Sequence, residues 1–145
     1  MKKYEIFSVF GIELEYIIVD INSFKIKNLS KIILKNKELK EKLNILNIDI
    51  SYELVQHVIE LKTFLPELYG NEKLFTKNLE IAINLINDFL YLYNSKIVSL
   101  SMYPKIEKEE ILLWNGKRRN IFKNYEKYFS FNNLSFYNMQ SLQII

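Results

Sequence analysis

The sequence contains no cysteine, a single histidine (His57) and only two arginines, Arg118 and Arg119. Without cysteine, disulfide bonds, thiolate zinc sites and a cysteine nucleophile are excluded. The scarcity of arginine weakens a role in reading nucleic acid or phosphate, because such sites favour the bidentate arginine side chain. The net charge of +3 is also too small to argue for a nucleic acid or a membrane as partner.

Long uninterrupted apolar runs are missing as well. The most apolar stretch, Leu79 to Tyr93, is broken by two acidic and two amide side chains, which excludes a membrane span. The basic first residues are not followed by a long apolar segment, so no signal peptide is predicted. We therefore expect a soluble cytoplasmic protein that has neither nucleic acid nor membrane among its partners.

The apolar residues that are present suffice for one domain. A chain of 145 residues with 49% hydrophobic and 14% aromatic residues can bury a core, and we predict a single domain over residues 1–145. Periodicity predicts an α+β fold in which the longest helix, 72–93, covers a sheet. A further helix is predicted behind Ser30 as its cap. Strands are predicted at 10–20, 24–27, the latter half of 48–63, 96–102 and 136–145.

The stretch Phe10 to Asp20 carries the first candidate site. Alternation on a strand points Glu13 and Glu15 to one face, which turns apolar two residues further on. Two partly buried carboxylates repel unless a cation lies near them, and Mg²⁺ prefers oxygen ligands. Taken alone, however, a Glu-x-Glu pair on a strand is more simply interpreted as a solvated face.

A second acidic stretch lies between residues 48 and 63. Glu60 shares a strand face with Val58, so it is again a partly buried carboxylate, and Glu53 precedes it by seven residues. His57 is more simply interpreted as a hydrogen-bonded strand residue than as a ligand.

The last third of the chain carries weaker signals. Arg118 and Arg119 precede a predicted aromatic helix, 120–129, so they form either a solvated approach or an anion site near a helix N-terminus. The sequence then stops in the middle of the predicted strand 136–145, from which we expect a truncated C-terminus.

Five segments in this order and spacing resemble the glutamate–cysteine ligase family, including its bacterial carboxylate–amine ligase branch. They are Phe10–Asp20, Glu53–Thr63, Ser101–Pro104, Leu113–Trp114 with the aromatic residues after it, and Asn138–Ile144. The resemblance implies a curved, mostly antiparallel sheet with helices packed on one side, part of a glutamine synthetase-like catalytic funnel.

The resemblance also implies a chemistry. In that family ATP phosphorylates the γ-carboxylate of glutamate, and the amine of cysteine or another acceptor attacks the acyl phosphate, the first step of glutathione-type synthesis. Mg²⁺, or Mn²⁺ in its place, bridges the phosphates. By resemblance the candidate metal ligands are Glu13, Glu15, Glu53 and Glu60. Candidate substrate- or nucleotide-binding residues are Thr63 and Gln143, to which we add the anion-site pair Arg118 and Arg119.

Departures from the family pattern limit this prediction. Tyr103 stands where histidine is usual, Ile145 where asparagine is expected, and family members are several hundred residues long. We therefore expect an N-terminal part that is inactive alone and is completed by a C-terminal half or by another copy. The alternatives are a non-catalytic remnant or interaction module that keeps the fold, and an unrelated α+β domain with solvent-facing carboxylates. An RNA-binding sheet is a more distant alternative.

Overall fold

The computed structural model describes residues 4–99, 106 and 110–114. Within these ranges the chain forms six strands and three helices. The strands are β1 (Val9–Phe10), β2 (Glu13–Asp20), β3 (Ile48–Tyr52), β4 (Val58–Thr63), β5 (Glu67–Leu68) and β6 (Ser95–Val98). The helices are α1 (Ser30–Lys35), α2 (Lys37–Ile45) and α3 (Glu72–Tyr91).

The four longer strands form one antiparallel sheet in the order β3-β4-β2-β6, and β1 pairs with β5 in a small second ladder. The predicted α+β class with antiparallel pairing is thereby confirmed. The predicted strand 10–20 is divided, because the chain passes from the small ladder into the main sheet at Gly11 and Ile12.

One face of the main sheet packs against all three helices. Alternate residues of the strands, such as Ile18, Ile50 and Ile59, are fully or almost fully removed from solvent in a cluster with helical side chains such as Leu43 and Ile86. The opposite face carries the charged residues of the same strands. Period-two alternation therefore separates an apolar core from a polar outer face.

The helical region after Ser30 differs from the prediction in two respects. Ser30 does not cap the helix; its buried hydroxyl donates instead to the backbone oxygen of Gln56 at 2.7 Å. The helix is also interrupted at Asn36, whose side chain accepts from the Leu39 amide and caps α2. The Ser30 hydroxyl, which the local sequence predicted to cap the helix, thus forms a hydrogen bond to a residue that is distant in sequence.

Other predicted elements are shorter in the structure or lie outside it. The returning strand 24–27 is reduced to one bridge between Ile26 and Val19. The helix 120–129 and the strand 136–145 lie outside the described residues. In the ranges that the structure covers, no helix has both the length and the apolar character needed to cross a membrane.

Candidate functional site

The outer face of the sheet carries two rows of polar side chains that run across β2, β4 and β3. The pairing register sets Glu13 opposite Lys62 and Lys62 opposite Asp49 in the first row. In the second row Glu15 is opposite Glu60, and Glu60 is opposite Ser51. Directly opposite residues on one face have Cβ atoms about 5 Å apart, so these side chains are neighbours.

Glu60 lies at the centre of this face, between Glu15 and Ser51, and is partly buried. Its Oε1 atom accepts from the Ser51 hydroxyl at 2.8 Å and from Lys62 Nζ at 3.0 Å, and its side chain is only 14% exposed. Burial acts to raise the pKa of Glu60, but hydrogen bonds from Ser51, Lys62 and Glu53 and the charge of Lys62 outweigh it. The pKa of Glu60 therefore lies below its ordinary value.

Glu53 contacts Glu60 from the turn between β3 and β4. Two carboxyl groups can share a hydrogen bond only when one of them carries a proton, because an ionised carboxylate only accepts. The two carboxyl groups thus lie close enough together for a cation to bind between them.

Lys62 supplies the positive charge on this face. The Lys62 ammonium bonds Glu60 and lies 3.4 Å from the Ser51 hydroxyl. Its bond to Glu60, together with the charges of Asp49 and Glu13, raises the pKa of Lys62. In this structure the Lys62 ammonium therefore supplies the positive charge beside Glu60 that the sequence analysis expected from a metal ion. Alternation on β4 puts Lys62 on the same face as Glu60, but no sequence motif indicated this role.

The structure brings the predicted ligands onto one face, although their exposure differs. Glu13 and Glu15 are exposed to solvent, whereas Glu53 and Glu60 are partly buried. Across the described residues, no three histidine, cysteine or acidic side chains are arranged to hold a metal ion. A metal ion here would have to draw Glu13 and Glu15 inward and displace the Lys62 ammonium from Glu60.

Thr63 ends β4 on the face opposite the carboxylates, since it follows Lys62 on an alternating strand. Its amide donates to the Ile12 oxygen at 3.0 Å. A Cβ atom added to Gly11 would lie 3.2 Å from Thr63 Oγ1, so glycine permits the close approach of the two chains here. The remaining predicted site residues, Arg118, Arg119 and Gln143, and also Tyr103, lie outside the described residues.

This contact yields a test by paired substitution. Gly11→Ala should destabilise the protein by about 1 kcal/mol, because the new methyl group crowds the Thr63 hydroxyl. In a Thr63→Ala background the same change should be neutral, or stabilising by roughly 0.5 kcal/mol through the unfolded chain. Urea unfolding of the four proteins measures the coupling. Equal effects of Gly11→Ala in both backgrounds would show that the contact does not govern this position.

Comparison with known proteins gives little further identification. No protein-family model matches the chain, and no solved structure matches it significantly. The chain is similar to a protein of Archaeoglobus fulgidus that is described as uncharacterized, with 29% identity over 97 residues. The aligned region is 66% of this chain but only 25% of the archaeal protein, so the chain spans about a quarter of that relative's length.

Proposed function

We propose that the chain is the N-terminal part of an ATP-dependent carboxylate–amine ligase of the glutamate–cysteine ligase type. The observation that supports this most is that Glu60, on the sheet face that points away from the helices, has Glu15 opposite it on β2 and Glu53 in contact with it. In this proposal that face is one wall of a curved, glutamine synthetase-like funnel.

The chemistry suits the residues. Phosphoryl transfer needs cations that neutralise the phosphates and hold them in line, and carboxylates on neighbouring strands offer Mg²⁺ or Mn²⁺ the oxygen ligands these ions prefer. In this proposal a divalent ion binds between Glu53 and Glu60, whose carboxyl groups are neighbours. Glu13 and Glu15, which are exposed, are free to turn toward it.

The proposal includes the substrates and the missing parts of the site. Glutamate, ATP and an amine acceptor such as cysteine would bind, with Thr63, Gln143, Arg118 and Arg119 as contributors to substrate or nucleotide binding. A complementing C-terminal half or a second copy of the chain would supply the remaining ligands. The reaction would take place in the cytoplasm, as the first step of glutathione-type synthesis.

Calorimetry with Mg²⁺-ATP and Mn²⁺-ATP tests the site. Glu15→Gln/Glu60→Gln should weaken metal-dependent ATP binding at least tenfold, because it removes two anionic ligands from one face. The matched control is Glu38→Gln/Glu41→Gln, which removes two exposed charges from α2 and should leave binding unchanged. Equal binding by both variants would refute the proposed site.

A second candidate is a non-catalytic remnant that keeps the fold. It is favoured by the position of Lys62, whose ammonium already satisfies Glu60, and by the lack of a three-ligand arrangement among the described residues. A folded wild type that binds no ATP with either metal, alone or with a complementing half, would decide for this candidate.

A further inference from the structure

The two rows of the outer sheet face differ in the charges that they carry. In the first row Lys62 lies between two acidic residues, Glu13 on β2 and Asp49 on β3. In the second row Glu15 lies opposite Glu60, and none of the three residues of that row is basic. The positive charge of this face therefore originates in the first row, whereas the two carboxylates that lie opposite each other belong to the second.

The Lys62 ammonium nevertheless contacts the second row. Its Nζ atom lies 3.0 Å from Glu60 Oε1 and 3.4 Å from the Ser51 hydroxyl. Residues 60 and 62 share one face of β4, about 6–7 Å apart along the strand, and the lysine stem is long enough to span this distance. A side chain from the first row thus neutralises part of the charge of the second.

Lys62 also has acidic neighbours in its own row. Glu13 and Asp49 lie directly opposite it on the two adjacent strands, where the Cβ atoms are about 5 Å apart. The charges of these two residues, together with the bond to Glu60, raise the pKa of Lys62. Both carboxylates of the first row are therefore close enough to act on the ammonium in the structure as it stands.

We infer that Lys62 is a resident cation of the second row, which a bound metal ion displaces into the first row. A divalent ion beside Glu60 repels an ammonium that lies 3.0 Å from the same carboxylate. The lysine side chain can turn to Glu13 or Asp49 without movement of the backbone, because both are its direct neighbours. These two residues then act on the metal ion through Lys62 and not as its ligands. Glu15 acts as a ligand, because it lies opposite Glu60.

The inference rests on the proposed metal site and divides its candidate ligands by row. The resemblance assigns Glu13 and Glu15 one and the same role. The register distinguishes them, because Glu15 lies opposite a carboxylate and Glu13 lies opposite an ammonium. Both are exposed glutamates on β2, two residues apart, so Glu13→Gln and Glu15→Gln are matched variants that remove the same charge from different rows.

Calorimetric titration of the full chain with Mn²⁺, without nucleotide and at about 0.15 M salt, tests the inference. Lys62→Met should bind Mn²⁺ roughly tenfold more tightly than the wild type, because no ammonium has to be displaced. In this variant Glu15→Gln should weaken Mn²⁺ binding about tenfold through the loss of a ligand, and Glu13→Gln no more than about twofold.

The reverse dependence is expected for the first row when Lys62 is present. Glu13→Gln/Asp49→Asn removes both acceptors for the displaced ammonium, so it should weaken Mn²⁺ binding about tenfold in the wild-type background. In Lys62→Met the same pair of substitutions should weaken it no more than roughly threefold, because only attraction through solvent is lost. Lys62→Gln serves as the second background if Lys62→Met does not fold.

The inference is overturned if Glu13→Gln and Glu15→Gln weaken Mn²⁺ binding equally in Lys62→Met, since both residues would then be ligands. It is also overturned if the first-row pair has the same effect in both backgrounds, if Lys62→Met binds Mn²⁺ no more tightly than the wild type, or if no variant binds Mn²⁺. Failure of the ligase proposal is a separate result: the expected Mn²⁺ affinities together with no ATP binding would support the displacement of Lys62 and refute the nucleotide site.

Discussion

Lys62→Met should destabilise the protein by about 1–2 kcal/mol, although methionine is a good strand-compatible replacement for the aliphatic stem. The substitution leaves Glu60, only 14% exposed, without its cation while Glu13, Glu15 and Asp49 remain close by. Breaking a fully buried pair costs more than this, but Lys62 is itself 33% exposed, so solvent screens part of the lost attraction. Urea unfolding at low ionic strength measures the change.

The same substitution bears on the proposed metal site. If the site binds Mn²⁺, the ion must displace the Lys62 ammonium in the wild type but not in Lys62→Met. We therefore expect Mn²⁺ to raise the melting temperature of the variant more than that of the wild type, because a ligand that binds only the folded state stabilises it more when it binds more tightly.

A matched lysine on the surface provides the control. Lys42→Met removes the same charge from an exposed ion pair with Glu38 on α2, where the side chains are 53% and 77% exposed. Its cost should not exceed about 0.5 kcal/mol, and Mn²⁺ should have no added effect. If the two lysine variants unfold alike and respond alike to Mn²⁺, Lys62 does not act as the cation of this face.

Asp20→Asn should lower the melting temperature by roughly 5–10 °C. The Asp20 carboxylate accepts from the amides of Asn22 and Ser23 at 3.0 and 2.9 Å, and from the Ser23 hydroxyl and the Asn94 side chain at 3.0 and 3.1 Å. Lys27 Nζ lies 3.4 Å away. An asparagine keeps one acceptor oxygen, but its amide group faces donors in place of the second oxygen. The turn at residues 22–23 and the turn at Asn94 would then no longer both be hydrogen-bonded to residue 20.

The pH dependence of the melting temperature distinguishes the contribution of the Asp20 charge from that of its hydrogen-bond geometry. The Ser23 amide, together with the Ser23 hydroxyl, the Asn22 amide and Lys27, lowers the pKa of Asp20 well below its ordinary value of 3.8, although burial opposes this. The stabilisation is therefore fully present above about pH 4 and is lost as the pH falls toward the folded-state pKa. The gap in melting temperature between wild type and Asp20→Asn should narrow as the pH falls from 5 to 2.

Asp88→Asn is the control for this prediction. Asp88 is exposed on α3, so its substitution should change the melting temperature by no more than about 1 °C at any of these pH values. A gap between wild type and Asp20→Asn that stays constant down to pH 2 would mean that the hydrogen-bond geometry, and not the charge, carries the effect.

Local patterns determined much of the fold and the first half of the site. Alternation in Phe10–Asp20 was sufficient to predict that Glu13 and Glu15 share a face, and the apolar spacing of α3 was sufficient to predict its core contacts. Such patterns are reliable because strand and helix periods are properties of the backbone itself. The start of a helix at Ser30 is confirmed, but the prediction that the Ser30 side chain caps that helix is wrong. The Ser30 hydroxyl bonds the Gln56 oxygen instead, because a hydroxyl can bond any acceptor that the fold brings close.

The sequence by itself thus determined which residues alternate, which stripe is buried and which carboxylates are candidates for chemistry. Only the tertiary structure decided that Glu15 lies opposite Glu60 and that the Lys62 ammonium contacts the Glu60 carboxylate. The first depends on the register between β2 and β4, which brings together residues 45 positions apart, and the second on the side-chain conformations of two residues on one strand. A shift of the pairing by one residue would move the apolar side chains to the polar face, so alternation excludes it. Alternation does not distinguish between registers that differ by two residues, because these keep every side chain on its face.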